Sequence, residues 1–156
     1  MLLSSKGEIK LADFGAAVQL TFHRMKRTTM TGTPYYMSPE VIKGSEYNEL
    51  VDIWSLGILC IELAMGCPPY YDVSPESALE KIVNEGVKGL PSKKFSNDFV
   101  DFVNNKCLQT DPTLRHTAKQ LMQHPFIAKA CSKNDLVSHL KSTDSFEQID
   151  SGCTIL

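Results

Sequence analysis

The stretch from Val51 to Met65 limits what this chain can become more than any other. Val51, Ile53, Trp54, Leu56, Ile58, Leu59, Ile61 and Leu63 surround the axis of any helix drawn through it, so that helix has no wet face and is built for burial on all sides. Asp52 and Glu62 interrupt the run, which is too short and too charged to cross a bilayer. It is therefore a core helix, and Cys67-Pro68-Pro69 stops it. The rest of the chain has to cover it.

Local signals lay out that cover. Ser5-Lys6-Gly7-Glu8 reads as a tight turn, and Ile9-Lys10-Leu11-Ala12 alternates like a short strand. Residues 16 to 32 are polar and basic with no helical period, as in a mobile loop. Pro39 at a first helical position predicts a short helix through Ile42. Ser74 as N-cap and Pro75 behind it start a helix that runs to Gly86, a residue suited to the left-handed C-terminal position. Ser96 caps a helix with Phe99, Phe102, Val103 and Leu108 on one face. Thr117 and Gln120 form a capping box ahead of Leu121, Met122 and Phe126, and His124-Pro125 ends that helix. Beyond it, one amphipathic piece, Leu136 to Leu140, precedes a tail rich in Ser, Thr and Asp. The fold class expected is mainly α with a short N-terminal β hairpin.

Composition narrows the function. With 156 residues, 42% apolar and 22% charged, the chain has the makings of one globular domain. A net charge of -2 and a pI near 6.1 give no footing for a nucleic-acid partner. Cysteines 60, 67, 107, 131 and 153 form no C-x-x-C pair, which reads as reduced thiols in the cytosol. Histidines 23, 116, 124 and 139 lack metal-ligand spacing, and His124 reads as a polar residue in a helix's last turn. Met1-Leu2-Leu3 passes at once into polar residues, unlike a signal peptide.

Short motifs carry the chemistry. Asp13-Phe14-Gly15 is followed by Gly32-Thr33-Pro34-Tyr35-Tyr36-Met37, then Ser38-Pro39-Glu40, then Asp52-Ile53-Trp54-Ser55-Leu56-Gly57. Asp13 to Glu40 spans 28 residues inclusive. Asp111-Pro112 precedes Arg115, and His124-Pro125-Phe126 follows. In order and spacing this series resembles the eukaryotic Ser/Thr protein kinase family, from the activation segment through the end of the C-terminal lobe. Lys26-Arg27-Thr28-Thr29-Met30 ahead of the Gly-Thr-Pro-Tyr run resembles the sterile-twenty-like branch. The resemblance implies a partial kinase domain over 1–127 and a largely flexible tail over 128–156.

It also implies roles. Asp13 matches the Mg²⁺ ligand that bridges ATP phosphates, and Gly15 matches the glycine that lets the backbone turn sharply beside it. Thr29 matches the activation-loop site phosphorylated by an upstream kinase, with Thr28 as a neighbour able to take that role. Thr33 matches the residue that contacts the catalytic groups and lines the substrate's following position. Glu40 matches a buried glutamate paired with Arg115 from a distant helix. Asp52 matches the helix aspartate that holds the catalytic loop. Ser38 stands where the family usually has alanine.

The same alignment sets Met1-Leu2-Leu3 just after the family's metal-binding asparagine. The Gly-rich loop, the ATP lysine, its helix glutamate and the catalytic-loop aspartate are absent by motif, so these residues alone should not clamp ATP or transfer its phosphate. The expectation is a kinase C-terminal portion cut at an internal methionine. The alternative is a binding or decoy module that uses the surface around Thr33 and the helix from Ser74 to engage protein substrates or regulators. An apolar patch on the 51–65 helix should follow from the missing cover. Cys153-Thr154-Ile155-Leu156 fits a prenylation signal at Cys153, though Asp144, Glu147 and Asp150 before it are acidic rather than basic. The setting expected is cytoplasmic, with membrane contact if Cys153 is lipidated.

Overall fold

The structure, a computed structural model, describes residues 1–17, 32–142 and 154–155. They fall into two compact units, one made of Met1–Ala17 with Lys129–Leu156 and the other of Val18–Ala128. The architecture is mainly helical with an N-terminal hairpin. Among the described residues no helix is long and apolar enough to cross a membrane.

In the larger unit, α1 (Pro39–Ile42) leads to α2 (Leu50–Met65), which Gly66 ends in a left-handed conformation with its N–H on the Glu62 carbonyl. Ile53, Trp54, Gly57, Ile58 and Ile61 are buried, whereas Leu63 is 65% exposed and Met65 and Asp52 also face out. The helix is thus covered along most of its length, and its exposed apolar residues, Leu63 and Met65, lie in its last turn. Helix α3 (Pro75–Glu85) starts at Ser74, whose side chain accepts the Ser77 N–H. It ends at Gly86, whose φ of 73° is positive but whose ψ of -156° is extended, not left-handed helical.

The helix capped by Ser96 departs from the regular period. Helix α4 (Asn97–Val100) continues directly into a π-helical segment, Asp101–Cys107, where the Leu108 N–H reaches back to Val103. This wide turn holds Asn104, whose amide brackets Leu90 by accepting its N–H at 2.8 Å and donating to its C=O at 3.0 Å. Phe102 and Val103 still point inward, but Leu108 follows the helix in a non-helical conformation. The segment packs against α2 at Gly57, where an added Cβ would lie 2.8 Å from Leu108 and 2.9 Å from Cys107. Only glycine allows that approach. Ile53, Ile61, Leu90, Phe102, Val103, Cys107 and Leu121 form the main core, and Trp54, Ile58 and Ile82 form a second. Helix α5 (Ala118–Leu121) opens with the Thr117–Gln120 capping box, and α6 (Pro125–Ala128) follows.

In the smaller unit, β1 (Leu2–Leu3) pairs antiparallel with β2 (Ile9–Lys10), and β3 (Thr154–Ile155) pairs with the other edge of β1. Helix α7 covers Lys133–Ser142, wider than the 136–140 piece visible in the sequence. The Ser132 hydroxyl accepts the Asp135 N–H while the Asp135 carboxylate accepts the Ser132 N–H, so the helix has a reciprocal cap.

Candidate functional site

Asp13 sits in the smaller unit at the start of a 3₁₀ turn over Phe14–Ala16. The sharp bend is at Asp13 itself, at φ 63° and ψ 70°, and Gly15 is not among the glycines with positive φ. This corrects the role expected of Gly15. A Cβ there would lie 3.3 Å from Asp13 Oδ1, and the Gly15 N–H donates to the same oxygen at 3.4 Å. Glycine thus leaves room beside the carboxylate and does not make the sharp bend. Holding a non-glycine residue in this backbone region costs on the order of 1–3 kcal/mol. Asp13 is exposed, with Leu11 and Phe14 exposed beside it. Its carboxylate suits one position of a hard cation such as Mg²⁺. No group of three or more His, Cys, Asp or Glu able to hold a metal occurs among the described residues. Thr28, Thr29 and Cys153 lie outside the described residues, as does the whole of 18–31.

In the larger unit, Thr33 is exposed and extended at φ -75° and ψ 125°, and its carbonyl accepts the Tyr36 N–H. The loop after it is fastened to α2 twice. The Ser55 hydroxyl donates to the Tyr36 carbonyl at 3.0 Å, and the Tyr36 hydroxyl donates to Glu62. Burial first, then the Glu62 bond, pushes the Tyr36 phenol above its usual range. Tyr35 donates to the Val73 carbonyl at 3.3 Å, and its ring lies tilted 5.9 Å from that of Tyr71.

Glu40 and Arg115 anchor the far end of this loop. Their two hydrogen bonds run in parallel, Nη1 to Oε1 at 2.6 Å and Nη2 to Oε2 at 2.7 Å. Arg115 also donates to the carbonyls of Leu50 at 3.1 Å and Gln109 at 2.8 Å, and stacks 5.1 Å from the Trp54 ring. The pair is buried, at 8% and 4% exposure. A buried charge tolerates its surroundings only when its donors or acceptors are taken, and here they are. Arg115 does not come from a helix, however. It follows a 3₁₀ turn over Pro112–Leu114 and is extended at φ -73° and ψ 142°. Asp111 caps that turn through the Thr113 N–H at 2.9 Å. Asp52 points outward from α2, and partial desolvation, then Glu49, raises its carboxyl above the usual range. Glu49 is thus a like charge beside it, not a partner.

His124 was legible in the sequence only as a polar helix end. It is buried instead, with Nε2 3.0 Å from Asp101 Oδ2 and Nδ1 accepting the Phe126 N–H at 3.1 Å. With Nδ1 occupied as an acceptor, the neutral ring donates from Nε2 to the carboxylate. Hydrogen bonds from Asn105 and then His124 hold the Asp101 carboxyl below its usual range. The clue was its place in His124-Pro125-Phe126, because Phe126 brings both its N–H and a ring stacked 4.7 Å from Phe99.

These anchors sit on a chain whose likeness to known proteins is specific. Residues 1–127 match the family model described as the protein kinase domain. The chain belongs to the protein kinase family. It is 50% identical over 138 residues to Serine/threonine-protein kinase pakB of Dictyostelium discoideum, covering 88% of this chain and 16% of that protein. It is 46% identical over 136 residues to pakC of the same organism, covering 86% and 28%. It is 44% identical over 140 residues to Serine/threonine-protein kinase STE20 of Candida glabrata, covering 90% and 15%. Within the family it therefore sides with the sterile-twenty-like Ser/Thr kinases. The chain spans less than a third of the length of each of these relatives.

Proposed function

We propose that these 156 residues are the activation-segment and substrate-side portion of an ATP-dependent protein Ser/Thr kinase. Asp13 supplies one carboxylate to Mg²⁺, Thr29 or its neighbour Thr28 receives the activating phosphate from an upstream kinase, and Thr33 faces the protein substrate. Bound Mg²⁺ would neutralise charge on the ATP phosphates. The observation that carries this reading is the anchoring of the loop after Thr33, by Tyr36 to α2 and by Glu40 to Arg115. A substrate-facing loop needs such a rigid seat.

By themselves these residues do not transfer phosphate, because no residue here takes the place of the family's proton acceptor or ATP lysine. The check is transfer from labelled ATP to a generic Ser/Thr protein substrate by the purified 156-residue polypeptide. No turnover is expected. Mg²⁺-dependent turnover that disappears in Asp13→Asn would overturn the inactivity while supporting the role of Asp13. A second role, as a non-catalytic binding module using the surface around Thr33 and the helix from Ser74, is open to the larger unit because that unit has a core of its own. That role predicts a monodisperse polypeptide that retains kinase substrates in a pull-down, and recovery only as aggregate would count against it.

A further inference from the structure

Two-residue strands cannot hold a hairpin together in water by themselves, yet the turn between β1 and β2 is hydrogen-bonded and buries one of its residues. Ser4 closes it, accepting the Gly7 N–H on its carbonyl and the Lys6 and Glu8 N–H groups on its hydroxyl. Gly7, at φ 72°, is buried although it stands at a turn tip. What buries it is α7. A Cβ on Gly7 would meet Val137 Cγ2 at 3.0 Å and the Lys133 carbonyl oxygen at 3.1 Å. Leu136, Val137 and Leu140 are the half-buried residues of that helix, while the rest of it is exposed. The Lys133–Glu8 pair at 3.8 Å is exposed and adds little. The tail also reaches the hairpin a second way, through β3 on the free edge of β1.

Helix α7 lies outside the residues matched to the kinase domain, and β2 leads within three residues to Asp13. We propose that α7 is a strap on the β1–β2 turn, and that the order of the hairpin entering Asp13 is set by this tail. Anything that takes the Leu136–Leu140 stripe for itself frees the hairpin. The strap stands on packing alone. It does not depend on reading Asp13 as a Mg²⁺ ligand.

Hydrogen exchange read by mass spectrometry on the full 156-residue chain tests it. In the double variant Leu136→Asp/Val137→Asp, amides of residues 2–10 should exchange about tenfold faster while those of 50–65 stay protected. Coupling is reciprocal, so Gly7→Ala, made on the hairpin side, should speed exchange across 133–142. Should the double variant lose protection everywhere, Gly7→Ala decides. Unchanged hairpin exchange in an otherwise protected double variant, or unchanged α7 exchange in Gly7→Ala, overturns the strap.

Discussion

The two compact units differ in what holds them. In the larger one, two groups of buried side chains meet around α2, and a buried ion pair ties the loop after Thr33 to Trp54 and Leu50. In the smaller one, burial among the described residues is confined to Leu3 and Gly7, and Ile9, Leu11 and Phe14 are exposed. Asp13-Phe14-Gly15, the first motif of the series that carries the kinase resemblance, thus sits in the less buried of the two units among the described residues. Motif strength reports chemistry, and packing reports stability. The two need not coincide.

Changes to the larger unit are read by the single tryptophan, Trp54, which lies in it. The largest effect expected is from Arg115→Ala. It strands the Glu40 carboxylate in the interior and should cost about 3–5 kcal/mol, measured as a fall in the urea midpoint of Trp54 fluorescence. Hairpin exchange should not change. A loss below 1 kcal/mol would show that the pair is not the anchor its geometry makes it. Gly57→Ala comes next. Its new methyl meets Leu108 and Cys107, and overpacking of this kind costs about 1–3 kcal/mol, readable in the same melt.

Alkaline pH should act on the larger unit too. Burial pushes the Cys60 thiol up to about 11, and burial with the neighbouring Cys60 pushes Cys107 to about 12. The unfolded chain releases these protons near the ordinary value of 9.0 while the folded chain keeps them. The stabilisation is therefore complete below that value and is lost as pH rises through about 11 to 12, by about 1.4 kcal/mol per pH unit for each thiol. A Trp54 midpoint that stays level from pH 8 to 10.5 would contradict this, and Cys60→Ala with Cys107→Ala should flatten the fall. The smallest effect, and the one of opposite sign, belongs to Ser38→Ala. The Ser38 hydroxyl is buried with no hydrogen-bond partner, so its removal should stabilise by about 1 kcal/mol. Destabilisation would mean that the hydroxyl has found a partner such as a buried water.

What the sequence disclosed was local. Ser74, Ser96 and Thr117 mark helix starts because a cap is made within three residues. Trp54 and its apolar neighbours declared a buried helix because burial is written into composition. The hidden features depend on distance or on geometry the period does not encode. A periodic pattern assumes 3.6 residues per turn, so the π-helical segment at Asp101–Cys107 left no mark. The seating of Arg115 in an extended turn, the burial of His124 against Asp101, and the docking of α7 on Gly7 join residues far apart in the chain. At Gly57 a hint did exist, since glycine inside an apolar helix is costly unless something must come close.

The contact of Gly7 with Val137 has a consequence in time. About 130 residues separate the two, and a ribosome adding roughly 5–20 residues per second needs on the order of ten seconds to cover that interval. Residues 32–128 can emerge and form their own core meanwhile. Asp13 is made well before α7, yet the hairpin that leads to it waits for that helix. The hairpin is made before the core of the larger unit and folds after it.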